Sequence, residues 1–164
     1  MTTAGIRLLL LIAIVATIGC DRVTKQIAAD TLADSPGQSF LADTFRLEYA
    51  ENAGAFLSLG AEWPRPVRTA IFVAGNTLLL AFFLAGMRRS WPTRTLLGLA
   101  LFVGGGVSNL VDRVVHGAAI DFMNVGIGSL RTGIFNVADV AIMLGVGLVL
   151  LDAWRSTPPA PPTS

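Results

Sequence analysis

Phe135-Asn136-Val137-Ala138-Asp139 runs directly into Val140-Ala141-Ile142-Met143-Leu144-Gly145-Val146-Gly147-Leu148-Val149-Leu150-Leu151, so a carboxylate stands at the head of a long apolar run. A spanning helix needs about 20 mostly apolar residues, and the stretch from Val137 to Trp154 is close to that length. A charge at a membrane-embedded helix end is costly and rarely idle. A second carboxylate, Asp121 of Asp121-Phe122, lies 18 residues earlier on a separate element. If the two meet they can share a proton, because adjacent carboxyls cannot both ionise cheaply. Aspartic proteases activate water with such a pair.

Composition fixes the environment. With 53% hydrophobic and 14% charged residues in 164, the chain holds more apolar surface than a small soluble domain could bury. Its mean hydropathy of +0.65 agrees, and it reads as an integral membrane protein. A net charge of +1 gives no electrostatic reason to expect nucleic acid as a partner. The single cysteine, Cys20, excludes an intramolecular disulfide and any multi-cysteine metal site. The single histidine, His116, leaves a histidine zinc site or a catalytic triad short of parts. No metal or other cofactor is expected.

Four apolar segments are predicted to span, at about 6–29, 67–87, 96–115 and 137–154, which puts both termini on one side. Arg7, Arg155 and the short connection bearing Arg88, Arg89 and Arg94 place that side in the cytoplasm. Every acidic residue except Asp152 then falls on the outer side. There, Phe45, Leu47 and Tyr49 alternate with Arg46 and Glu48, the pattern of a strand with one apolar face. Asn52-Ala53-Gly54-Ala55-Phe56 follows with residues suited to a turn. A small sheet over about 38–60 is expected to rest on the outer membrane surface. A second outer segment, 116–134, is too polar and glycine-rich to span and holds Asp121. Residues 1–155 read as one membrane domain, and 156–164 as a disordered Pro-rich cytoplasmic tail.

Counting about 1.5 Å per residue from the inner arginines, Asp21 lies about 21 Å out, Asp112 about 27 Å and Asp139 about 24 Å. All three reach one level in the outer part of a core about 30 Å thick, as a single polar pocket would require. Asn109, Asp112 and Arg113 share one helix face at that level, and Gly104, Gly105 and Gly106 lie a turn deeper, where small residues let another helix approach. Asn136, three residues before Asp139, suits either a helix N-cap or a partner for the carboxylate.

Asp21-Arg22-Val23-Thr24-Lys25, Asn52-Ala53-Gly54-Ala55-Phe56, the stretch from Gly104 through Asn109 to Asp112-Arg113, Asp121-Phe122 and Phe135-Asn136-Val137-Ala138-Asp139 carry a resemblance. In this order they resemble the successive motifs of the bacterial lipoprotein signal peptidases, or signal peptidase II, over nearly the whole chain. The resemblance implies four transmembrane helices, an extracytoplasmic β-cradle and a short periplasmic helix or flap over the site. It implies an aspartic endopeptidase of the inner membrane that removes signal peptides from prolipoproteins, cleaving before a diacylglyceryl-modified cysteine. Asp121 and Asp139 match its catalytic pair. Asp21, Lys25, Asn52, Gly54, Gly105, Asn109, Asp112, Arg113, Asn136 and Ala138 match supporting positions. Lipid-modified prolipoproteins and membrane lipids are the implied partners, and a monomer the expected state. Ser108 stands where Gly is common, Gly106 where Ala is common, and Val140 where Ser is frequent; 123–134 lacks the aromatic residues often found there.

Two other readings compete. Thr17-Ile18-Gly19-Cys20 resembles a lipobox, which would make Cys20 the first residue of a mature lipoprotein. A four-helix transporter or channel would use Asp21 as its proton or cation site. Bland roles exist as well: Lys25 as an interfacial anchor, Asp112-Arg113 as a structural ion pair, Asn52 and Gly54 as turn residues.

Overall fold

The computed structural model describes residues 2–53, 63–86 and 91–156. In chain order it forms α1 (Thr3–Leu32), β1 (Gln38–Phe40), β2 (Phe45–Asn52), α2 (Arg65–Gly86), α3 (Thr93–Val115), β3 (Ala119–Ile127), β4 (Leu130–Arg131) and α4 (Val137–Ser156). Three helices, α1, α3 and α4, are long and apolar enough to cross a membrane, and α2 adds a 22-residue apolar helix. Gly54 and the apolar residues after it, Arg88 and Arg89, and the tail beyond Ser156 lie outside the described residues.

At about 1.5 Å per residue, the 30-residue α1 is about 45 Å long, well beyond a hydrocarbon core of about 30 Å. Its C-terminal turns carry the sheet: Ala28 and Leu32 bury against Phe122, with Leu47, Tyr49, Met123 and Val137 packed around them.

α3 is the hub, packing on α1, α2 and α4. Its three successive glycines explain how. Residues on a helix turn by about 100° each, so Gly104, Gly105 and Gly106 point three ways. A Cβ on Gly104 would press on Thr17 of α1, one on Gly105 would strike the Ala138 carbonyl and Ile142 of α4, and one on Gly106 would meet Leu80 of α2. Lower down, Gly98 and Gly145 repeat the close approach of α3 to α4.

The sheet is antiparallel in the order β1-β2-β3-β4. Residues 116–134 thus supply two strands to it, and the short helix expected over the site is not among the described residues. β2 runs on to Asn52, which ends a strand rather than opening a turn. Nor does burial alternate along β2: from Phe45 to Ala50 every residue is half-buried, because β1 and β3 flank it and α1 lies beneath. Its register with β3 slips by one residue: Leu47 faces Met123, but Ala50 faces Asp121 and Asn52 faces Ala119. Side chains alternate faces along a strand, so the slip decides which ones share a face. With it, Asn52 lies on the same face as Asp121.

Candidate active site

The first turn of α4 holds Asp139. Asn136 is the residue before the helix; its side-chain Oδ1 accepts from the Asp139 N–H at 2.9 Å, and Asp139 Oδ2 accepts from the Asn136 N–H at 3.1 Å. This reciprocal capping box satisfies two amides that a helix start would otherwise leave unpaired. It also fixes which way Asn136 points. With Oδ1 committed, its Nδ2 donates to Asp121 Oδ1 at 2.6 Å, to Asn109 Oδ1 at 3.0 Å and to the Ile120 carbonyl at 3.1 Å. One side chain, completely buried, joins the two aspartates.

The other carboxylate oxygens are also held. Asn52 Nδ2 donates to Asp121 Oδ2 at 2.9 Å, across the slipped strand pair. Asn109 Nδ2 donates to Asp139 Oδ1 at 2.9 Å. Burial pushes the Asp121 carboxyl up to about 6; the charge of Asp139 adds to this, while the bonds from Asn52 and Asn136 pull the other way.

Beneath the pair lies a buried ionic cluster. Lys25 Nζ contacts Asp21 Oδ2 at 2.6 Å and Asp112 Oδ2 at 2.7 Å, and donates to Asn109 Oδ1 at 2.7 Å. Arg22 pairs with Asp112 from the exposed side of α1. Ser108 Oγ donates to Asp21 Oδ2 at 2.7 Å, and the Ala138 N–H donates to Asp21 Oδ1 at 2.8 Å. Breaking a buried pair of this kind by removing one partner costs about 3–5 kcal/mol, because the other charge is stranded. Lys25 is therefore no interfacial anchor. With Asn136, it fills the Asn109 carbonyl oxygen and so turns the Asn109 amide toward Asp139.

The structure brings Asp21, Lys25, Asn52, Asn109, Asp112, Asp121, Asn136, Ala138 and Asp139 into this one network. Gly105 admits the Ala138 carbonyl, and Ala138 itself is completely buried. Arg113 donates to the Asn109 carbonyl at 3.3 Å, and its charge acts on both Asp121 and Asp139. The ion pair of Asp112 is with α1 rather than with its neighbour Arg113. Gly54 lies outside the described residues. Sequence reasoning passed over Arg22 and Ser108. Both were visible as members of the quoted motifs, and Ser108, a departure from the common Gly, proves to be a buried hydrogen-bond donor to Asp21.

Residues 13–155 match the family model described as signal peptidase (SPase) II. The chain belongs to the signal peptidase II family. Such a peptidase is a membrane hydrolase, in keeping with the apolar helices. A lipoprotein signal peptidase of Syntrophotalea carbinolica is 34% identical over 158 residues, covering 94% of this chain and 96% of the relative. One of Photorhabdus laumondii is 39% identical over 117 residues, 68% of each chain. In fold, the peptidase is similar to a bacterial membrane enzyme solved by the in meso method at 1.9 Å resolution. The TM-score is 0.79 at 21% identity, over 90% of this chain and 94% of that one.

Proposed function

We propose that this peptidase is a four-span aspartic endopeptidase of the bacterial inner membrane. It has both termini in the cytoplasm and its site at the outer leaflet, and it cuts prolipoproteins before a diacylglyceryl-modified cysteine. The observation that carries the reading is Asn136, bonded to Asp121 through its amide and to Asp139 through the helix cap. The charge balance supports it too. Asp21, Asp112, Asp121 and Asp139 are four carboxyls facing three cations, Arg22, Lys25 and Arg113. A single proton on the pair brings this cluster to neutrality, the state favoured where charge is poorly solvated.

In that state the ionised member of the pair takes a proton from a water molecule, whose oxygen attacks the scissile carbonyl carbon. The protonated member donates to the carbonyl oxygen and stabilises the developing oxyanion. Collapse of the tetrahedral intermediate expels the amine of the lipidated cysteine with a proton from the pair, and no covalent intermediate forms. The pair titrates as a unit, so the base is assigned to the pair and not to one residue. The placement suits the substrate: a signal peptide is itself an apolar helix, and the lipid on the cysteine stays in the outer leaflet.

The competing readings lose their footing. Asp21 has both oxygens engaged by Lys25, Ser108 and Ala138, a poor start for a carboxylate that must load and release an ion. Cleavage before Cys20 would remove the Leu10 packing on Leu96 and Ala100 and the Thr17 approach to Gly104. The test is cleavage of a diacylglyceryl-modified prolipoprotein by purified protein, with its unlipidated form alongside. Asp121→Asn and Asp139→Asn should each abolish turnover while the protein stays folded; full turnover by either would overturn the assignment.

A further inference from the structure

α2 turns one face to the rest of the protein. Among its described side chains, Thr69, Val73, Asn76, Leu80 and Phe83 are wholly or partly buried while their neighbours are exposed, and they recur at i, i+4, i+7, i+11 and i+14. Asn76 stands out on this stripe, because an amide in an apolar membrane helix is costly unless it is hydrogen-bonded. It is not left unpartnered. What it faces follows from the register of α2 on α3. A Cβ on Gly106 would meet Leu80, and the ring of Phe83 packs on Phe102 with centroids 4.1 Å apart. Going from Leu80 to Phe83 thus means going back from Gly106 to Phe102, so the two helices run antiparallel. Asn76, about one turn before Leu80, lies opposite Asn109 and Leu110. Gly106, Leu110 and Arg113 are spaced i, i+4 and i+7 and share the side of α3 that faces α2. Arg113 starts about one turn beyond Asn76. Side chains lean toward the N-terminus of their helix, however, so on antiparallel neighbours they lean toward each other. The guanidinium does lie back along α3, its Nη1 donating to the Asn109 carbonyl at 3.3 Å. That brings it to the level of Asn76.

We propose that Asn76 is a positioning residue for Arg113, its side-chain oxygen accepting from the guanidinium and so holding that cation beside Asp121 and Asp139. The proposal rests on the reading of those aspartates as the catalytic pair. An amide suits the task. Arginine offers several N–H donors in one plane and no acceptor, and the Asn109 carbonyl accounts for only part of them. A neutral acceptor on α2 orients the guanidinium without cancelling its charge. The charges that act on Arg113 are Asp112 of α3, Asp121 of β3 and Asp139 of α4, and Lys25 of α1 acts on the last two as well. α2 contains no acid, and its arginines, Arg65 and Arg68, stand in its first turn. A carboxylate at position 76 would instead compete with the catalytic pair for the cation.

Kinetics of the full chain on a diacylglyceryl-modified prolipoprotein, followed against pH, test it. Asn76→Leu keeps the size of the side chain and removes its acceptor. It should lower kcat about tenfold with KM little changed, because the catalytic pair and not the bound substrate loses support. The acid limb of kcat/KM should move up by roughly half a pH unit, since a cation held less closely favours the ionised pair less. Asn76→Gln, which keeps the amide oxygen, should restore most of both. Leu80→Ala loosens the same helix contact without touching a polar group; it should lower the melting temperature and leave the acid limb in place. If Asn76→Leu does not fold, Asn76→Asp is read in its stead: paired with the guanidinium it should fold, and the limb should rise at least as far. A limb unmoved in the folded variant, an Asn76→Asp protein that cannot fold, or an equal shift in Leu80→Ala would overturn the role of Asn76 while leaving the peptidase reading intact. Failure of the unaltered protein to cleave any such substrate would instead sink the reading beneath it.

Discussion

Asn52 stabilises the charged form of Asp121 by donating to it, so removing that amide should raise the Asp121 pKa beyond its value of about 6. The acid limb of the profile of kcat/KM against pH should then move to higher pH in Asn52→Ala, because ionisation of the pair now requires a more alkaline medium. A limb that stays in place would mean that Asp121 does not govern it. The same shift has a sign for stability. An aspartate held above its ordinary value of 3.8 favours folding when protonated; the contribution is full below 3.8 and is lost as pH rises through about 6. At this scale the sequence was partly legible. The three-residue spacing of Asn136 and Asp139 announced a local pairing, since one helical turn brings them together. It could not announce that Lys25 meets Asn109 and Asp112, because those contacts bridge more than eighty positions and depend on how α1 and α3 cross.

Helix packing sets a sharp contrast between neighbouring glycines. In Gly105→Ala the new methyl meets the Ala138 backbone carbonyl, which cannot turn aside, directly beside Asp139. Overpacking of this kind costs about 1–3 kcal/mol, so thermal stability and activity should both fall. In Gly106→Ala the obstacle is the far end of the Leu80 side chain, and both properties should be nearly kept. Parallel thermal melts and turnover assays on the two variants check this; equal losses would refute the packing argument. Long apolar runs made α1, α3 and α4 readable to within a few residues. β3 was not readable: flanking glycines and the polar Asp121 and Asn124 gave it the look of a loop, and its strand character comes from pairing with β2. Nor does a single strand disclose its register. Deleting one of the two residues between Leu47 and Ala50 should remove the slip and keep Asn52 on the face of Asp121, whereas deleting both should turn Asn52 away and give the acid-limb shift of Asn52→Ala.

At the scale of the whole molecule, the proposed topology has the β3–β4 turn outside and the N-terminus within. In a Cys20→Ser background, Ser129→Cys should react with a membrane-impermeant maleimide on intact spheroplasts, and Thr2→Cys only after the membrane is opened. The reverse pattern would invert the topology. The buried ionic cluster has a consequence for how the protein is made. α1 brings to the cluster one acid, Asp21, and two bases, Arg22 and Lys25; α3 brings Asp112 with Arg113; β3 brings Asp121; α4 brings Asp139 alone. Synthesis from the N-terminus therefore brings three acids and three bases together before α4 is made. α4 then adds the one acid that takes the balanced cluster past neutrality, so the shared proton has a place only once Asp139 meets Asp121. The gene order of the helices is also an order of electrostatic assembly.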